Sequence, residues 1–113
     1  MNRREVGTRY EELAARFLED KGYHILDRNF RCRTGEIDII ASCGGTLVFA
    51  EVKYRNGCAY GYAESAVNAK KRSTIRQVAR VYMQSRDIPF DTPCRFDVIA
   101  VTQGHIRHIT DAF

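Results

Sequence analysis

Apolar side chains at Val6, Tyr10, Leu13, Ala14, Phe17 and Leu18 recur at helical spacing, which predicts a helix from about Arg4 to Lys21. Gly22 stands where helices commonly end. The pattern then changes period. "YHILDRNFRCR", "GEIDIIA" and "TLVFAEVKY" read as three strands, the last two joined by the hairpin signal "SCGG". A loop rich in Gly and Tyr, "RNGCAYGYAES", separates them from a second helix, with Asn68 as N-cap and Arg86 near its end. Ile75, Val78 and Tyr82 form its core face. "IPFDTP" breaks the chain, "CRFDVIAV" is a further strand, and "HIRHIT" is a short edge strand. The expected order is αβββαβ with one more strand at the end, in a single domain over residues 1–113.

One strand breaks the pattern. "LVFAEVKYR" starts as a buried strand and then places Glu51 and Lys53 on the face that Leu47 and Phe49 keep apolar. A turn at Gly44–Gly45 sets Asp38 opposite Glu51 and Glu36 opposite Lys53, with Ile40 on the same face. Facing carboxylates are destabilising unless compensated, so a part-buried pair must share a proton or hold a cation. Hard divalent cations such as magnesium take one or two carboxylates plus water and phosphate oxygens, and the Val52 carbonyl can add a ligand. Lys53 would stand beside the ion as a fixed positive charge. The competing reading is a surface cluster in which Lys53 merely neutralises Glu51 and Glu36.

Charge adds a partner. The formal net charge is +4, and its distribution is uneven. Arg3, Arg4, Arg9, Arg16, Lys21, Arg28, Arg31 and Arg33 load the first third. Lys70, Lys71, Arg72, Arg76 and Arg80 load the second helix, which favours a polyanion such as nucleic acid. The composition, 44% hydrophobic and 28% charged, is that of a globular domain. No apolar run is long enough to span a membrane, and the polar N-terminus lacks a secretory pattern, so a cytoplasmic location is expected. Cys32, Cys43, Cys58 and Cys94 contain no C-x-x-C pair, which argues against a zinc site and leaves four free thiols. His24, His105 and His108 form no evident constellation and read as surface or edge-strand residues.

Asp38, twelve residues, then Glu51-Val52-Lys53 resembles the PD-(D/E)XK motif of the restriction-endonuclease-like nucleases. "GEIDII", "LVFAEVKYR", "AVNAKK" and "CRFDVIAV", in this order, resemble the YraN-like family of bacterial proteins over nearly the whole chain. That family is related in fold to archaeal Holliday-junction resolvases. Ile37 replaces the motif's proline, and Tyr10 the family's glycine beside the first-helix glutamate. The resemblance implies an α/β fold of the mixed-sheet, α+β kind, with an αβββαβ core flanked by helices in two or three layers. It implies a Mg²⁺- or Mn²⁺-dependent nuclease acting on DNA, branched or single-stranded, with homodimers as in the resolvases. Asp38 and Glu51 become metal ligands, Lys53 the catalytic lysine, and Glu11 an additional acid from the first helix, with Glu12 turned to solvent. Gln77 matches a polar residue that some resolvases bring from the second helix, where Lys70 shares its flank. Lys70, Lys71, Arg72, Gln77 and Arg33 are the expected nucleic-acid contacts. Tyr60 and Tyr62 are candidates for stacking on an unpaired base, against ordinary loop packing. Two other classes stay open: a nucleic-acid-binding module with an inactive nuclease site, and a protein-interaction factor on the same fold.

Overall fold

The computed structural model describes residues 3–54, 68–102 and 104–113. Tyr60, Tyr62 and Cys58 lie outside the described residues. The chain runs α1 (Arg3–Asp20), β1 (His24–Arg31), β2 (Glu36–Cys43), β3 (Thr46–Tyr54), α2 (Ala69–Ser85), β4 (Cys94–Thr102) and β5 (His105–Ile109). The expected order holds, including the final strand. The sheet order is β1-β2-β3-β4-β5, with β3 and β4 parallel and every other pair antiparallel. This is a mixed α+β architecture with one helix on each face of the sheet.

The two faces explain the sequence. Toward α1, Ala14, Ala15 and Leu18 pack on Ile39, Ala41, Val48, Ala50, Ile99 and Val101. Toward α2, Ile75, Val78, Ala79, Tyr82 and Met83 pack on Ile37, Ile40, Leu47, Phe49 and Val98. Strands covered on both sides lose alternation and become apolar runs, hence "LVFA" in β3 and "VIAV" in β4. α1 stops where its last carbonyls find donors, Gly22 N–H on Glu19 and Tyr23 N–H on Leu18. Asn68 caps α2 as expected, its side chain accepting from Lys71 N–H at 2.8 Å.

Gly44 and Gly45 turn the β2–β3 hairpin with φ of 56° and 83°, the left-handed pair that a tight hairpin favours. They set the expected register from Cys43 opposite Thr46 to Ile39 opposite Ala50. The paired ladder stops there. Ile37 and Ile40, three residues apart, both face α2, while Ile39 between them faces α1. Strict alternation therefore breaks at Asp38. The Asp38 Oδ2 accepts from Val52 N–H at 2.8 Å, so a side chain supplies the acceptor where the ladder ends. The expected Glu36–Lys53 cross-strand pair does not form. Glu36 pairs instead with Arg31 of β1, Arg31 Nε lying 2.9 Å from Glu36 Oε2 at the exposed sheet edge.

Candidate functional site: a buried carboxylate pair under two lysines

Three elements converge where β2 and β3 part. Asp38 is 9% exposed and Glu51 6%, although neighbouring strand positions of this kind are usually apolar. The Asp38 carboxyl is raised from its ordinary value to about 7, first by burial and then by the Glu51 charge, with Glu11 and Glu36 adding to it. The Val52 N–H opposes that rise by stabilising the ionised form.

Two ammonium groups meet Glu51 Oε1, Lys71 Nζ at 2.9 Å and Lys53 Nζ at 3.8 Å. Burial, and after it the nearby Lys71 charge, holds Lys53 below the usual lysine range, with Glu51 offsetting part of this. Burial would lower Lys71 as well, but its hydrogen bond and ion pair with Glu51 outweigh that and raise it. Lys71 reaches the pair because it extends the core stripe of α2 back by one turn from Ile75. A cleft of about 370 Å³ opens on Glu51, Lys70, Lys71, Thr74, Gly35 and Glu36. Gly35 is required at its wall, since a Cβ there would fall 2.9 Å from Thr74 Cγ2.

Glu11 approaches from the α1 side. Burial raises its carboxyl, opposed by a hydrogen bond to Asn29 and the charge of Arg28. Arg28 Nε is the one buried side-chain nitrogen or oxygen without a partner among the described residues. Tyr10, at the position where a glycine was expected, stacks on Tyr54 with ring centroids 4.0 Å apart. That contact pins this turn of α1 against the end of β3. Glu12 is exposed, as expected.

The other expected contacts divide. Lys70 borders the cleft. Arg33 is exposed in the β1–β2 turn, and Arg72 lies with its guanidinium 5.7 Å from the centre of the Phe113 ring. Gln77 is exposed and turned to Ser73, with Nε2 3.5 Å from Oγ, and is not among the residues lining the cleft. Cys32, Cys43 and Cys94 are free thiols. His108 corrects the surface reading: its side chain is 3% exposed, with Nε2 2.7 Å from Asp97 Oδ2. Asp97 is fully buried and is also held by Arg95 and by Asp111 N–H. Sequence reading gave no sign of this network, which joins β4, β5 and the start of β1 through Tyr23.

Asp38 and Glu51 bring buried carboxylate oxygens, the donor type that hard divalent ions take. Among the described residues, no group of three His, Cys, Asp or Glu side chains is placed to hold a metal ion. No described helix is long and apolar enough to cross a membrane.

Fold and site together define an α+β domain with a carboxylate–lysine cleft at one end of its central strands. The model of the uncharacterised protein family UPF0102 matches residues 10–101. A UPF0102 protein of Lachnoclostridium phytofermentans is 45% identical over 113 residues, covering 100% of this chain and 96% of the relative. Another from Alkaliphilus oremlandii is 47% identical, covering 97% and 98%. A third, from Geobacter sulfurreducens, is 46% identical, covering 96% and 88%. The chain belongs to the UPF0102 family, the YraN-like proteins that its motifs resemble.

Proposed function

We propose that this cleft hydrolyses phosphodiester bonds in DNA, on a restriction-endonuclease-like core, with Mg²⁺ or Mn²⁺ held by Asp38 and Glu51. The observation that carries the reading is the pair itself: two buried carboxylates, one raised to about 7, with Lys71 Nζ 2.9 Å and Lys53 Nζ 3.8 Å from Glu51 Oε1. A structural ion pair needs neither a second acid nor two ammonium groups on one oxygen. A bound divalent ion would supply Lewis-acid polarisation of the phosphate.

This chain's own groups account for the rest. Val52 N–H holds one oxygen of the Asp38 carboxylate in place. Lys71 holds one oxygen of Glu51 and balances its charge. Lys53, on the same face as Glu51, is positioned to orient the attacking water or to neutralise charge developing on the phosphate. Glu11 adds a third acid at the flank. The first turn of α2 carries Lys70, Lys71 and Arg72 and no acid, an arrangement the helix dipole disfavours unless an anion is nearby. A phosphate backbone meets that need.

Calorimetric titration of Mn²⁺ into the wild type and into Asp38→Ala tests the metal assignment. The wild type binds and the variant loses most of its affinity. Equal binding by both removes Asp38 from the site.

A further inference from the structure

α2 carries five cations, Lys70, Lys71, Arg72, Arg76 and Arg80, and no carboxylate between Ala69 and Ser85. The three arginines recur every fourth residue, so they form a row on one face with steps of about 6 Å. Each guanidinium lies over an aromatic ring. Arg72 is 5.7 Å from the centre of Phe113, Arg76 is 5.6 Å from Phe96 and 5.7 Å from Phe113, and Arg80 is 5.3 Å from Phe90. The rings are themselves organised. Phe49, Phe96 and Phe113 stack in sequence, with centroids 5.4 and 5.3 Å apart, from the buried strand β3 outward. A ring held against the guanidinium face restrains the Arg76 and Arg80 side chains while their N–H edges can meet a phosphate.

Beside this row lies a second hollow of about 240 Å³, away from the carboxylates and bordered by Arg76, Arg80, Phe90 and Phe96. Phe90 is 58% exposed, an apolar ring left in water at the rim. Charge and aromatic surface thus occur together, which is the combination by which proteins hold single-stranded nucleic acid. The row starts one residue after Lys71, at the cleft, and ends at the aromatic hollow.

We propose that α2 is a track for a single-stranded segment that leads away from the cleft. Two successive phosphates lie on Arg76 and Arg80, and an unpaired base stacks on Phe90 in the hollow. This rests on reading the cleft as a nucleic-acid site and narrows its substrate to DNA with an unpaired strand next to the cleaved bond.

Fluorescence anisotropy with a labelled oligo-deoxythymidine and a blunt duplex, in EDTA across a salt series, separates this proposal from cleavage. Replacing Arg76 and Arg80 by Gln lowers the slope of log affinity against log salt on the single strand by about 1.4, at about 0.7 per phosphate contact. Phe90→Ala weakens single-strand binding about tenfold and leaves duplex binding unchanged. Unaltered slopes and affinities overturn the track. So does an equal loss on the blunt duplex, or equal competition by a poly-glutamate peptide, which would make this an acidic-protein surface. Because binding is read without metal, it stands apart from cleavage: a chain that binds through this row yet cuts nothing when Mg²⁺ or Mn²⁺ is supplied would refute the nuclease reading while leaving the track intact.

Discussion

Asp38→Asn should stabilise the metal-free protein, and the gain should depend on pH. Asp38 ordinarily ionises near 3.8 and in the folded chain does so at about 7. The folded state therefore binds this proton more tightly than the unfolded chain, and stability falls as pH rises through that window. At 1.36 kcal/mol per decade the full penalty is about 4 kcal/mol above pH 7, an upper bound because the charge is shared with Glu51. Asparagine keeps an oxygen for the Val52 N–H and removes the charge, though its amide must find a partner of its own. A net gain of about 2 kcal/mol at pH 8.5 is expected, shrinking to nothing near pH 4. In a domain of this size that is a rise in melting temperature of about 10 °C. Urea denaturation of both proteins in EDTA, from pH 4.5 to 8.5, measures the difference directly. A variant less stable than wild type throughout, or a difference that does not change with pH, would refute the argument that Asp38 and Glu51 form an electrostatically strained pair.

Lys71→Met removes the closest countercharge from Glu51. Without metal it should lower stability by about 1–2 kcal/mol, since a buried carboxylate keeps only Lys53 at 3.8 Å. Mn²⁺ should then bind about tenfold more tightly, because no ammonium competes for that oxygen; unchanged affinity by calorimetry would deny Lys71 this role. Asp97→Asn leaves Arg95 and His108 without their buried acceptor and should cost about 3–5 kcal/mol in urea denaturation. A loss below about 1 kcal/mol would show that the network is dispensable for the fold.

The hairpin register was legible because Gly44 and Gly45 leave few turns possible, and the register carried Asp38 and Glu51 into view together. The break at Asp38 was not legible. "IDII" is apolar on both sides of the aspartate, so alternation gives no sign of where the strand turns a side chain into the ladder. Lys71 was expected as a nucleic-acid contact, and its place against Glu51 could have been found, because Ile75, Val78 and Tyr82 define a stripe that passes through residue 71. His108 and Asp97 were hidden for a different reason. Their partners come from Arg95, Tyr23 and the Asp111 backbone, and no local period reports contacts made across such separations. The fold thus followed from patterns that act over a few residues. The site depended on two strands diverging and on the approach of α2, which begins only at Ala69.

A cation-dependent phosphodiester-hydrolysing site at Asp38, Glu51 and Lys53 carries one strict requirement: cleavage needs both the cation and the Lys53 ammonium. Incubating purified wild type and Lys53→Ala with end-labelled branched and single-stranded DNA, with Mg²⁺ or Mn²⁺ and with EDTA, tests it most directly. Slow cleavage that needs the cation and disappears in the variant is expected, while the variant keeps its fold and binds the same DNA. Cleavage surviving in Lys53→Ala, or a wild type that binds the panel and cuts none of it, would contradict it.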